Sequence, residues 1–180
     1  MLSREGLGYM KTKLNIACGQ MILDGWVNID CFPGPGVDVV CDARDLSYDN
    51  SSVDEVVMLH AIEHFTLDDA CMIIRKIFKM LKPGGSIIIE APDVFKAVKN
   101  TPSGEFEAIK GIFGDITELR KGKDGYQHKW GWTGNLIQQE LASAGFNVSE
   151  VMDGISHNHQ WRDFRVIGWK PNGGQPNGKL

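Results

Sequence analysis

The chain has 180 residues, room for one ordinary domain; a fold of that size buries about 70% of the surface its unfolded chain exposes and needs no metal or disulfide staple. Hydrophobic residues at 42% and charged residues at 23% exclude a disordered, collagenous or coiled-coil chain. Nineteen Lys and Arg against 23 Asp and Glu give a net charge of −4, which argues against nucleic-acid binding by bulk charge.

In chain order, Leu14 to Ala17 reads as a first strand that runs into Cys18-Gly19. Val27 to Asp30 is a second, closed by an acid and followed by the breakers Pro33-Gly34-Pro35-Gly36. Val37 to Cys41 is a third, ending at Asp42, and Val53 to Leu59 a fourth, ending at His60. Leu67 to Leu81 carries an apolar stripe at three- and four-residue intervals, with Thr66 as N-cap and Asp69 three residues on. Pro83-Gly84-Gly85 then turns the chain into a fifth strand, Ser86 to Ala91, whose successive isoleucines suit a central parallel sheet. Between Asp93 and Trp130 the pattern loosens, with a short amphipathic helix marked by Phe106, Ile109, Ile112 and Phe113 and a charged loop from Arg120 to Gly125. That length after a strand's carboxyl end marks residues 93–130 as a lid-like insertion. Thr133 to Ala144 is a late helix, Asn147 to Met152 a strand and Phe164 to Trp169 a closing strand. One domain over residues 1–170 is expected, with an unstructured tail at 171–180.

Cys18, Cys31, Cys41 and Cys71 make no C-x-x-C pair and no zinc ladder, so reduced thiols are expected. His157 and His159 form a pair with no third ligand at a recognisable spacing, so no metal site is expected. The opening residues lack a secretory apolar core, and no stretch approaches the roughly 18 apolar residues of a membrane span. A soluble, cytoplasmic protein is the expectation.

In an open parallel sheet, ligands bind beyond the carboxyl ends of the strands. Gly19, Asp30, Asp42 and His60 all fall there. A glycine lets backbone approach a ligand, one acid can accept both hydroxyls of a ribose, and another can accept an exocyclic amine. That set fits an adenosine-containing cofactor.

The residues Leu14-Asn15-Ile16-Ala17-Cys18-Gly19 and Gly25-Trp26-Val27-Asn28-Ile29-Asp30 resemble the opening of the class I S-adenosylmethionine-dependent methyltransferases, most closely a small bacterial-type branch. Leu59-His60-Ala61-Ile62-Glu63-His64-Phe65, Leu81-Lys82-Pro83-Gly84-Gly85, His128-Lys129-Trp130-Gly131-Trp132-Thr133 and Ala144-Gly145-Phe146 are similar to later blocks of that family, in order. The chain departs from the pattern in its first loop, where Asn15 stands for the usual acid and only Gly19 remains of three glycines. The link from Cys18 to Trp26 is also too short for a usual crossover, so the first helix is expected to be missing or very short.

The resemblance implies a Rossmann-like, doubly wound, mostly parallel seven-stranded α/β sheet with an antiparallel strand near the C-terminus. It implies S-adenosylmethionine as cofactor and S-adenosylhomocysteine as product, held by Ala17, Cys18, Gly19, Asp30, Cys31, Asp42, Ala43, Arg44, His60 and Ala61. His60 and His128 are the candidate bases for a hydroxyl acceptor, with His64 likelier to orient than to react. Trp130 and Trp132 fit either an acceptor wall or a hydrophobic seam, and Arg120, Lys121, Lys123 and Lys129 either an anion site or a solvated loop. Tyr9 is a candidate cover for the cofactor's amino-acid end. The expected activity is methyl transfer to a small-molecule or glycan-like acceptor. The rivals are a catalytically silent binding module and a nucleic-acid methyltransferase, which the absence of an Asn/Asp-Pro-Pro-Tyr-type block disfavours.

Overall fold

A computed structural model describes residues 11–100, 105–115, 120, 124–157 and 159–172. Tyr9, Lys121, Lys123 and the tail from residue 173 lie outside the described residues. The strands are β1 (Lys13–Ile16), β2 (Val27–Asp30), β3 (Val39–Val40), β4 (Val53–Leu59), β5 (Leu81–Pro92), β6 (Asn147–Val148), β7 (Met152–Asp153) and β8 (Asp163–Trp169). The helices are α1 (Leu67–Met80), α2 (Val94–Asn100), α3 (Glu105–Phe113) and α4 (Gly134–Ser143). The strands form one sheet in the order β3-β2-β1-β4-β5-β8-β6, with β7 also on β8. The pairs from β3 to β5 are parallel, whereas β8 runs antiparallel to β5, β6 and β7. This is the Rossmann-like architecture expected, with eight strands among the described residues in place of seven: the stretch from Asn147 to Met152 breaks into β6 and β7.

The helix α1 forms where its stripe predicts. Thr66 caps it by accepting the Asp69 N–H at 3.2 Å, and Ala70, Ile73, Ile74, Ile77 and Met80 are buried. Its Phe78 packs edge-to-face on Phe146, which follows α4, with ring centroids 4.9 Å apart. Leu81 leaves the helix already extended and pairs with Val53. The Pro-Gly-Gly that reads as a turn is thus a bulge inside β5, between the Val53–Leu81 and Glu55–Ser86 pairs. β3 is shorter than expected: Asp38 stays outside it, with its N–H on the Asn28 carbonyl and its carboxylate on the Asn28 N–H, both at 2.8 Å. No helix among the described residues is long and apolar enough to cross a membrane.

No helix joins β1 to β2, as the short link requires; residues 17–26 are turns. Two buried asparagines do the work of the missing helix. Asn15 donates from Nδ2 to the Met21 carbonyl at 2.7 Å and to Asn28 Oδ1 at 2.9 Å. Asn28 accepts the Leu23 N–H at 2.9 Å and donates to the Leu23 and Trp26 carbonyls. An uncharged amide both donates and accepts, so it can satisfy a folded-back loop where a carboxylate could only accept. Asn28→Ala strips these partners in a buried place, and we expect a loss of about 1–3 kcal/mol of stability, read as a lower urea midpoint at unchanged slope. An unchanged midpoint would show that the loop holds itself.

Candidate active site

Moving along the sheet, the chain goes from β1 outward to β3 and returns on the other side of β1 as β4. The order reverses there, so the crevice beyond β1 and β4 is the switch point of the fold. Gly19 follows β1 with φ +52°, and nothing lies within 4 Å of where a Cβ would stand. The Asp30 carboxylate at the end of β2 accepts the Gly19 N–H at 2.8 Å and the Phe32 N–H at 2.9 Å. These bonds tie the first loop to the second strand. They leave the carboxylate further lone pairs for ligand hydroxyls. Phe32 is 59% exposed beside it, an aromatic surface that sequence reading did not single out.

Asp42 faces Arg44: its Oδ1 accepts the Arg44 backbone N–H at 2.8 Å, and the guanidinium pairs with both oxygens at 3.0 and 2.7 Å. The Arg44 hydrogen bonds outweigh burial and hold the Asp42 carboxyl below its usual range. Ala43 is buried under this loop, while Cys31 is exposed. Ala17 shares the positive φ of Gly19, at 52°, and Cys18 is buried with its N–H on the Ile29 carbonyl at 2.9 Å.

His60 stands at the end of β4 in the left-handed region, φ 52°, a strained position for a residue with a Cβ. Its N–H donates to the Glu90 carbonyl at 2.7 Å. The ring lies between two buried carboxylates, with Nε2 3.1 Å from Asp163 and Nδ1 3.5 Å from Glu63. Burial pushes its pKa down, but the two carboxylates outweigh that and raise it to about 9. His60 is therefore an imidazolium at neutral pH, which does not suit the role of base expected of it. Asp163 comes from the start of β8; because β8 is antiparallel to β5, that start lies at the carboxyl edge, opposite Pro92.

The segment 128–132 docks on the turn after β4. The Glu63 carbonyl accepts the Lys129 and Trp130 N–H groups at 2.8 and 3.3 Å, and Trp132 donates from its indole to the Ile62 carbonyl at 3.3 Å. Trp132, 1% exposed, is therefore a seam, whereas Trp130 is 40% exposed. The docking sets His128 against His64, ring centroids 5.0 Å apart. Burial pushes the His128 pKa down, so its imidazole is neutral. Asp93 anchors the whole region: Oδ1 caps α2 through Phe95 and Lys96, and Oδ2 accepts the Gly134 N–H at 3.2 Å. His157 meets His60, centroids 4.1 Å apart, while His159 meets Trp161.

Sequence reasoning missed Glu90 and Asp163. Glu90 is fully buried in β5, where its oxygens accept from Ser156 and from Arg165 at 2.8 Å. An acid directly after three isoleucines was the available signal.

A family model described as a methyltransferase domain matches residues 27–89. No curated protein matches the chain in sequence. Among solved structures, an S-adenosylmethionine-dependent methyltransferase from Archaeoglobus fulgidus superposes with a TM-score of 0.61 at 15% identity, over 89% of this chain and 86% of that one. The 1,6-didemethyltoxoflavin-N1-methyltransferase of Burkholderia thailandensis, with its acceptor and S-adenosylhomocysteine bound, gives 0.61 at 11% identity, over 89% and 71%. An S-adenosylmethionine-dependent methyltransferase from Mesorhizobium loti gives 0.57 at 13%, over 89% and 91%. The fold is that of the class I S-adenosylmethionine-dependent methyltransferases. With the methyltransferase-domain match over residues 27–89, the chain is similar to S-adenosylmethionine-dependent methyltransferases in fold and in part of its sequence.

Proposed function

We propose that the chain methylates a small-molecule or glycan-like acceptor, with the cofactor on the β1–β3 side of the crevice and the acceptor on the β4 side. The observation that carries this reading is the Gly19–Asp30 bond at the switch point, next to a corner built from His60, Glu63, His64 and His128. Bound S-adenosylmethionine supplies a methyl group on a sulfonium, ready for in-line displacement. Ala17 to Gly19 then offer backbone to the amino-acid end, Asp30 accepts from the ribose, and Asp42 to Arg44 border the adenine. Cys31 and Ala61 complete that lining. His60, held as a cation by Glu63 and Asp163, positions rather than takes a proton. Loss of the acceptor's proton depends on His128, whose lone pair is available.

Residues 93–130 serve as the lid. Phe95, Val98, Phe106, Ile109 and Phe113 are 51–76% exposed on α2 and α3, an apolar surface suited to closing over a ligand. The turn Asp124–Tyr126 reaches the cofactor side, where a Cβ on Gly125 would stand 3.1 Å from the Phe32 ring. Amide exchange in 105–115 and 124–130 is expected to slow when S-adenosylhomocysteine and acceptor are both present. Exchange indifferent to ligands would make the segment ordinary surface. Methyl transfer itself is tested with labelled S-adenosylmethionine against phenols, amines, sugars, DNA and transfer RNA. Label in a low-molecular-weight or sugar product supports the reading, and label confined to nucleic acid overturns it.

A further inference from the structure

Glu63 is 2% exposed, and neither of its carboxylate oxygens accepts a hydrogen bond. A buried carboxylate left so is destabilising unless something pairs with it. His60 compensates from one side at 3.5 Å, longer than a hydrogen bond to a well-placed partner. His64 and His128 also stand by Glu63, and the ligand-capable atoms of these three residues all lie within 4.8 Å of one another. His64 Nδ1 is 3.1 Å from the Gln127 carbonyl, which can only accept, so Nδ1 carries the proton and Nε2 the free lone pair. His128 is packed against His64, ring centroids 5.0 Å apart. Imidazoles fixed through one nitrogen by a carbonyl are the usual form of metal-ligating histidines.

We infer that Glu63, His64 and His128 hold a divalent transition-metal ion of the zinc class at the acceptor corner of the crevice. Two imidazole nitrogens and one carboxylate oxygen suit zinc and its neighbours, whereas magnesium and calcium want oxygen alone. Three protein ligands leave a fourth position open, the arrangement of catalytic rather than structural zinc sites. Bonds of about 2.0–2.2 Å put tetrahedral ligands roughly 3.4 Å apart, so binding draws these side chains inward by about an ångström. The neighbouring group of His60, His157 and Asp163 is equally close but already neutralised, since Asp163 pairs with Arg162 at 2.7 Å and with His60 at 3.1 Å.

The inference rests on the reading of this corner as the acceptor side. There the dependence on His128 runs through the ion. An acceptor hydroxyl at the open position is polarised and acidified, its proton leaves to water, the oxygen–methyl bond forms, and the sulfur–methyl bond breaks with its electron pair staying on sulfur.

The test is titration of the metal-free full chain with cobalt(II), followed by its ligand-field absorption, and competition by zinc. One equivalent should bind with the intense spectrum of a tetrahedral site. Glu63→Gln and His128→Ala should each weaken binding more than about 100-fold, beyond what outer-shell losses cost, and His157→Ala should leave it unchanged. If Glu63→Gln fails to fold by circular dichroism, His64→Ala takes its place. A weak octahedral spectrum, affinity indifferent to Glu63→Gln or His64→Ala, or loss in His157→Ala would overturn the site. Tight cobalt binding without methyl transfer to any acceptor would keep the site and remove the acceptor reading. Methyl transfer by chain that binds no cobalt would do the reverse.

Discussion

Replacing Asp30 by alanine should weaken S-adenosylmethionine by roughly 1.5–3 kcal/mol, a factor of about 10 to 150, because a charged acceptor is lost to both ribose hydroxyls. The variant also frees the Gly19 N–H, which the carboxylate now holds at 2.8 Å, so the first loop loses its tie to β2. Asp30→Asn separates the two effects, since an amide oxygen can still accept from Gly19 but carries no charge. Equilibrium dialysis with labelled cofactor gives the affinities, and thermal unfolding checks the fold. Wild-type affinity in both variants would mean that the ribose lies elsewhere.

His128→Ala should lower turnover by roughly 10²-fold or more while cofactor affinity changes little. Burial holds the His128 pKa below the ordinary 6.5, so the ring keeps its lone pair at neutral pH and loses it only on acidification. The wild-type rate should therefore hold from neutral pH to mildly acidic pH and fall below that. The variant should lose this acid limb along with the rate. His60→Ala acts differently, because it removes the cation from between Glu63 and Asp163 and leaves two buried carboxylates facing each other. Its loss should appear in thermal stability as well as in rate. Full activity in both alanine variants would remove these histidines from the reaction.

What sequence could show, and what it could not, follows from the range of each interaction. Thr66, the stripe through Ile77 and the isoleucines of β5 act locally, and their pattern is enough to read α1 and the central strands. Strand-ending Asp30 and Asp42 are legible because a parallel sheet sends every such residue to one edge. The Asn15–Asn28 pair is different: Asn15 reads as a substitution for the family's usual acid and Asn28 as one residue of a matching strand, until the short loop is seen folded onto both. The nearness of Glu63 to His128 is not legible, because His128 arrives through backbone contacts of Lys129 and Trp130 that no spacing reveals. Asp163 stayed hidden because only the antiparallel turn of β8 brings it back to the ligand edge.

Occupation of the crevice beyond β1, β2 and β4 by the cofactor is checked by mapping backbone amide shifts of the labelled chain during titration with S-adenosylhomocysteine. The shifts should concentrate on Gly19, Asp30, Cys31, Ala43, Arg44, His60 and Ala61, and saturate together at one equivalent. Shifts centred instead on the opposite edge, around Asp54, Lys82 and Ser86, or no saturable shift at all, would contradict it.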